Sequence, residues 1–248
     1  MTAEQRSIPS TGTGTLYLIP VPLGPGGAAA ALPAPVCARV QVLTHFVAEN
    51  AKSARAFLKT LPLCIPLQQI EIRELNEHTP ARAMPTLLAP LRAGLDLGLI
   101  SEAGCPAVAD PGSALVDLAH REKIRVVPLI GPSSLLLALM ASGLNGQNFA
   151  FHGYLPSAPG EREKRLRELE NESRHLQRCQ IFIETPYRNP QMMATLLQVC
   201  SPSTRLCLAI DLTLPSECIL SREVALWRRS APVAIDRRPT VFLLQAGR

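Results

Sequence analysis

Three times in the first 145 residues an apolar run passes directly into a loop rich in Gly and Pro and then into a helix-forming segment. TLYLIPVPLGPGG comes first, then GLISEAGCPAVADPG followed by SALVDLAHREK, then IRVVPLIGPSS followed by LLLALMASG. Repetition of strand, loop and helix predicts parallel strands joined by crossover helices. All three loops then leave the carboxyl ends of their strands, the edge at which open α/β sheets take ligands. Between the first two units, VQVLTHFVAENAKSARAFLKTL reads as a strand and an amphipathic helix, with Glu49 and Asn50 at the helix start.

The loops limit what such an edge can bind. In the second, Gly104 and Gly112 permit φ values that other residues resist, while Pro106 and Pro111 fix φ and donate no N–H. That stretch is a shaped loop rather than a helix or a ladder strand. The first loop, PLGPGG, matches neither G-x-G-x-x-G nor the phosphate loop ending in Lys-Ser/Thr, and its prolines remove N–H donors that a pyrophosphate would use. A less anionic cofactor lying close against the backbone suits it better. In the third loop one of Ser133 and Ser134 is expected to cap the following helix, leaving the other free to reach a ligand.

After GLNGQN the strands come closer together, as a mixed sheet with fewer crossovers requires. The segments there are FAFHGYLP, the charged helix GEREKRLRELENESRHLQR with a solvated face, QIFIETPYR, a helix around MMATLLQVC, RLCLAIDLT, a hairpin through CILSREVALW, and TVFLLQ. The expected organisation is a disordered segment over 1–13, an α/β domain over 14–145 and a second α/β domain over 146–248. The chain of 248 residues is 47% hydrophobic and 4% aromatic, which suits an α/β enzyme rather than an aromatic-stacking RNA module. No apolar run approaches the roughly 20 residues that span a bilayer, and the first residues lack a secretory h-region, so a cytoplasmic location without membrane contact is expected. Seven scattered cysteines with no C-x-x-C, and five dispersed histidines, predict neither a disulfide framework nor a metal site. A net charge of +5 permits a polyanionic partner without demanding one.

GTLYLIPVPLG, LISEAGCPAVADPG, VVPLIGPSS with its Ala-Ser-Gly helix end, FHGYLP and IETPYR, in this order and spacing, resemble the tetrapyrrole methylase superfamily. The resemblance spans about residues 14 to 246 and is strongest to the branch of ribosomal RNA cytidine 2′-O-methyltransferases, of which this chain is a divergent member. It implies an S-adenosyl-L-methionine-dependent methyltransferase. The implied fold is α/β, with an N-terminal, mostly parallel sheet flanked by helices, a C-terminal mixed sheet and a cofactor cleft between the two domains. The usual assembly is a homodimer. The implied cofactor-binding residues are Leu23, Gly24, Gly104, Cys105, Pro106, Val108, Ser133, Ser134, Glu184, Thr185 and Ala209, with Cys105 as wall rather than nucleophile.

Candidate general bases are Glu49, His78 and Asp110, with Glu102 and Glu184 nearby in the motifs; a base is needed only when the acceptor still carries its proton. Lys52, Arg55, Glu102, Tyr187 and Arg188 are the candidate substrate contacts. Several charges usual in the branch are replaced here, by Asn50, Lys52, Ser157, Ala158, Ile210, Leu214 and Cys218. Each replacement removes or rearranges a contact to RNA or to a supporting carboxylate, so RNA binding is expected to be weakened. Arg228, Arg229, Arg237 and Arg238 offer an alternative phosphate track. The acceptor is RNA or a small molecule. A non-catalytic relative that binds the cofactor or acts as a scaffold is the competing expectation, and a tetrapyrrole enzyme a third.

Overall fold

The computed structural model describes residues 12–247, so most of the segment expected to be disordered lies outside the described residues. The chain divides into two compact units, 1–132 and 133–248.

In the first unit the elements are β1 (Thr15–Ile19), α1 (Ala28–Ala31), α2 (Ala34–Gln41), β2 (His45–Ala48), α3 (Ala51–Leu58), β3 (Glu71–Glu74), α4 (Met84–Leu87), α5 (Ala89–Arg92), β4 (Leu97–Ile100), α6 (Gly112–Arg121) and β5 (Arg125–Pro128). The sheet order is β3-β2-β4-β1-β5. Every pair is parallel, with Leu97 in register with Leu16 on one side and His45 on the other. All four residues of β4 are buried. That is why LGLI reads as a continuous apolar run: a central parallel strand faces packed helices on both sides. Phe46 and Ile19 sit in one layer of core with Val40 and Leu58, while Val47 and Leu97 sit in the other with Leu91 and Leu115.

Gly98 is required by packing. A Cβ there would lie 2.6 Å from Ile19 Cδ1 and 2.7 Å from Phe46 Cδ1. The flanking strands use the missing side chain to bring their own large residues over β4.

The second unit contains α7 (Ser134–Ser142), β6 (Phe149–Tyr154), α8 (Pro159–Leu176), β7 (Cys179–Ile183), α9 (Asn189–Val199), β8 (Arg205–Ile210), β9 (Cys218–Glu223), α10 (Val224–Trp227) and β10 (Thr240–Gln245). Its sheet order is β6-β7-β10-β8-β9. β6 and β7 are parallel and the other pairs antiparallel, which makes the mixed sheet. α7 packs against β8, β9 and β10. Phe182 and Phe242 stack across β7 and β10 with ring centroids 5.5 Å apart. Cys179, Cys200 and Cys207 are buried, and burial pushes their thiols up to about 12, about 12 and about 11.

Two local expectations change. CILSRE pairs with β8 as a hairpin should, but VALW turns into α10 instead of extending the strand. The turn buries Val224 and Trp227, and the Trp227 indole N–H donates to the Leu206 carbonyl at 2.9 Å. In α8 the charges are not all solvated: Arg162 and Glu170 are buried beside Leu166 and Leu169. Arg162 donates to Thr195 Oγ1 and the Ser157 carbonyl, while Glu170 accepts from Ser201 and Thr204, so both charges are satisfied internally.

Replacing Gly98 by Val forces side chains off their rotamers in a filled layer and is expected to lower stability by about 1–3 kcal/mol. The readout is the urea midpoint, and a midpoint equal to wild type would show that β4 has room for a side chain.

Candidate functional site

At the carboxyl edge of the first sheet the loops after β1 and β4 are joined by a reciprocal pair of backbone hydrogen bonds. Val21 N–H donates to the Gly104 carbonyl at 2.9 Å, and Gly104 N–H donates back at 3.1 Å. The expected irregular loop therefore contains one point of ladder geometry. Gly104 adopts φ +73° there, which favours glycine, and a Cβ would come within 3.3 Å of Leu23 Cδ2. The next residue, Cys105, donates its thiol to the Pro132 carbonyl at 3.4 Å, which ties in the loop after β5. Burial raises the Cys105 pKa, which disfavours the reactive thiolate. Leu23 and Gly24 are half-buried, Pro106 is buried and Val108 is exposed.

Asp110 holds the far side of the second loop. Its two oxygens accept from Ala107 N–H at 2.9 and 3.0 Å, and one also accepts from Gly112 N–H at 2.7 Å. Between these anchors Ala107 and Ala109 take φ of 66° and 61°, a left-handed conformation that costs an L-residue about 1 kcal/mol or more. Asp110 thus orders a strained backbone. Burial raises its pKa, partly offset by the Gly112 and Ala107 hydrogen bonds.

Glu49 follows β2 and is half-buried. Burial raises its pKa, and repulsion from Glu102, Asp110 and Glu77 adds to the effect. Asn50 caps α3, accepting from Lys52 N–H at 2.8 Å and Ser53 N–H at 3.3 Å. Ser53 Oγ in turn donates to Glu102. Among the described residues no Lys or Arg pairs with Glu49, Glu102 or Asp110. Lys52 and Arg55 lie exposed on α3, and Arg55 reaches only the Ala51 carbonyl. His78 sits in an exposed turn organised by Asn76, 3.6 Å from Glu77. Sequence reasoning missed Ser53 and the electrostatic part played by Glu77. An Asn followed three residues later by Ser was the available signal for the first, and nothing local marks the second.

In the second unit, Ser133 stands at the start of α7 as expected, but its side chain makes no capping hydrogen bond. At the end of β7 the Glu184 side chain is fully buried, and Arg188 donates to its Oε1 at 2.7 and 3.0 Å. Thr185 N–H also donates to Oε1, at 2.7 Å, while Oε2 has no partner among the described residues. Two expected site residues, Glu184 and Arg188, are therefore bonded to each other. Tyr187 is exposed, with the Arg188 guanidinium 5.7 Å from its ring centroid. Ala209 is buried within β8. Of the four basic residues read as a phosphate track, Arg238 pairs with Asp211 at 2.7 Å and Arg228 donates to the Leu197 and Cys200 carbonyls, both at 2.8 Å. Those two hold loops in place, which leaves Arg229 and Arg237 for a polyanion.

The raised pKa of Glu49 fixes the sign of a pH effect. The folded protein holds this proton more tightly than the unfolded chain, whose value is near 4.5. The stabilisation is complete below that value and is lost as the pH rises through the folded pKa, so ionised Glu49 opposes folding at neutral pH. Glu49→Gln is expected to raise the denaturant midpoint at pH 7 and to leave a smaller difference from wild type at pH 4. A midpoint at pH 7 equal to or below wild type would contradict the crowding of carboxylates described above.

Among the described residues no group of three or more His, Cys, Asp or Glu is placed to hold a metal ion, and no helix is long and apolar enough to cross a membrane. No family model matches the chain. Among solved structures, the methyltransferase CobJ superposes with a TM-score of 0.61 at 22% identity over 95% of each chain. Cobalt precorrin-4 methyltransferase CbiF gives 0.58 at 15% identity, over 93% of this chain and 94% of the other. These likenesses carry the two-domain α/β fold. Sequence carries more. The ribosomal RNA small subunit methyltransferase I of Vibrio cholerae serotype O1 is 30% identical over 222 residues, covering 90% of this chain and 73% of that protein. Its namesake from Xylella fastidiosa is 32% identical over 212 residues, covering 86% and 73%. With relatives this similar along most of both chains, the chain belongs to the ribosomal RNA small subunit methyltransferase I family of S-adenosylmethionine-dependent methyltransferases.

Proposed function

We propose that this protein transfers a methyl group from S-adenosylmethionine to a ribose 2′-hydroxyl of RNA, with small-subunit ribosomal RNA as the substrate and the cytoplasm as the place of action. The observation that carries the reading is the carboxyl edge of the first sheet, where Glu49, Glu102 and Asp110 have no Lys or Arg partner among the described residues. A cationic sulfonium is the complementary ligand for such an edge, and a pyrophosphate is not. When bound, S-adenosylmethionine supplies an electrophilic methyl on sulfur. The chain's own task is alignment: the Val21–Gly104 pair and the Asp110 bonds hold the loops in one geometry before the acceptor arrives. A hydroxyl acceptor must shed a proton, and Glu49, whose pKa is raised toward the working range, is the carboxylate suited to take it.

The test uses small ribosomal subunits lacking the family's methyl group, purified protein and labelled S-adenosylmethionine. Label at a cytidine ribose of the small-subunit RNA is the expected result. Gly104→Val serves as the matched control: it crowds Leu23 and a left-handed backbone position, so it should remain folded and lose S-adenosylhomocysteine binding in calorimetry. A wild-type protein that binds S-adenosylhomocysteine but labels no RNA would overturn the acceptor and leave the cofactor in place. Because Ser157, Ala158, Ile210 and Leu214 replace charges usual in relatives, the salt dependence of RNA binding should be shallow, each absent phosphate contact removing roughly 0.7–0.9 from the log–log slope.

Homodimerisation belongs to the same proposal. Leu136 and Met140, one turn apart on the apolar α7, are 52% and 80% exposed, an arrangement that a second copy of the chain would cover. Sedimentation is expected to give a dimer for wild type and a monomer for Met140→Glu; a monomeric wild type at micromolar concentration would refute it.

A further inference from the structure

The second unit has an unassigned pocket at the edge of its sheet where β8 begins and β10 ends. Arg205 and Gln245 are cross-strand partners there, whereas Ile210 and Thr240 pair at the other edge, about 17 Å away along the strands. The pocket is open, has a volume of about 520 Å³ and is lined by Leu144, Asn145, Gln177, Arg205, Gln245 and Ala246. Its rim is rigid. α7 ends at Gly143 and α8 at Gln177, both in the left-handed conformation, and Asn145 bridges the two ends by donating from Nδ2 to the Gln177 carbonyl at 2.7 Å.

Three polar groups on this frame retain bonding capacity. Arg205 donates to the Gly143 carbonyl at 2.9 Å and to Ser221 Oγ at 3.4 Å, and no carboxylate among the described residues pairs with it. Gln245 has its carboxamide orientation fixed, because Oε1 accepts from Asn145 N–H at 2.8 Å, and its Nε2 is left without a partner among the described residues. Gln177 is fixed the opposite way, since Nε2 donates to the Arg174 carbonyl at 2.8 Å and Oε1 is left over. The pocket therefore presents a cation, an amide donor and an amide acceptor. A guanidinium suits a phosphate, and a carboxamide donor and acceptor suit the edge of an unstacked base.

We infer that this pocket receives one nucleotide of the RNA substrate, its phosphate against Arg205 and its base edge between Gln177 and Gln245. The inference rests on RNA being the acceptor class. It supplies an RNA contact at the end of the second sheet opposite the Ile210–Thr240 pair.

The experiment measures fluorescence anisotropy of a labelled single-stranded RNA hexamer with the full protein across a salt series, for wild type, Arg205→Gln and Gln245→Glu. The second variant keeps the oxygen that holds Asn145 and replaces the free amide donor offered to the base edge by a negative charge beside Arg205, so it tests the pocket without disturbing the end of α7. Each variant is expected to weaken RNA binding about tenfold, and Arg205→Gln to reduce the salt slope by about 0.7. S-adenosylhomocysteine affinity should be unchanged in both. Variants that bind the hexamer with wild-type affinity and slope would overturn the pocket and leave RNA as substrate. A wild-type protein that binds S-adenosylhomocysteine and no hexamer would overturn the acceptor class, and the pocket assignment with it.

Discussion

The pair of backbone hydrogen bonds between Val21 and Gly104 is the constraint on which the candidate site depends. A parallel sheet delivers its loops to one edge but does not shape them, since each leaves its strand as an independent, flexible connection. The reciprocal bonds convert two such connections into one body, and they are possible only because Gly104 accepts a left-handed backbone beside Leu23. Cys105 then extends the body to Pro132, and Asp110 closes the far end by bridging Ala107 and Gly112. The strain at Ala107 and Ala109 persists because the residues on either side are held.

The two units treat charge differently. In the first, Glu49, Glu102 and Asp110 have no Lys or Arg partner among the described residues, and burial together with repulsion from Glu102, Asp110 and Glu77 raises the proton affinity of Glu49. In the second, comparable carboxylates are neutralised: Glu184 by Arg188, Asp211 by Arg238. The first pattern leaves carboxylates without a counter-charge, and the second builds loop structure. Substitutions relative to the family fall into this scheme. Asn50, where the resemblance implies an Asp, caps α3, since the cap needs an acceptor and not a charge. Ile210, where the resemblance implies an Arg, is buried in β8, where an unpaired guanidinium would be costly.

Much of this was legible in the sequence because it is local. Continuous apolar runs ending in Gly/Pro loops reveal parallel strands and the edge at which their loops gather, and LGLI alone marks a strand buried on both faces. What escaped is long-range. The bond from Cys105 to Pro132 spans 27 positions, and no pattern of spacing predicts it. VALW has the composition of a strand, yet the indole of Trp227 finds its acceptor on β8 only if the chain coils. Arg162 and Glu170 look like solvated helix charges until their partners arrive from Thr195, Ser201 and Thr204. Arg188 and Arg238 read as free cations for the same reason, because their carboxylate partners are recognisable only once the loops are folded.

The buried thiols have a practical consequence. Cys37, Cys179, Cys200 and Cys207 are inside the core, Cys218 is half-buried, and Cys105 spends its proton on a carbonyl. Alkylating reagents attack the thiolate, and a thiol pushed up to about 12, as at Cys179, supplies almost none at neutral pH. Chemical reactivity in this seven-cysteine chain is therefore concentrated at the exposed Cys64. A maleimide dye applied to the native protein would mark one surface position and leave the core untouched, giving a site-specific optical label without any engineered cysteine.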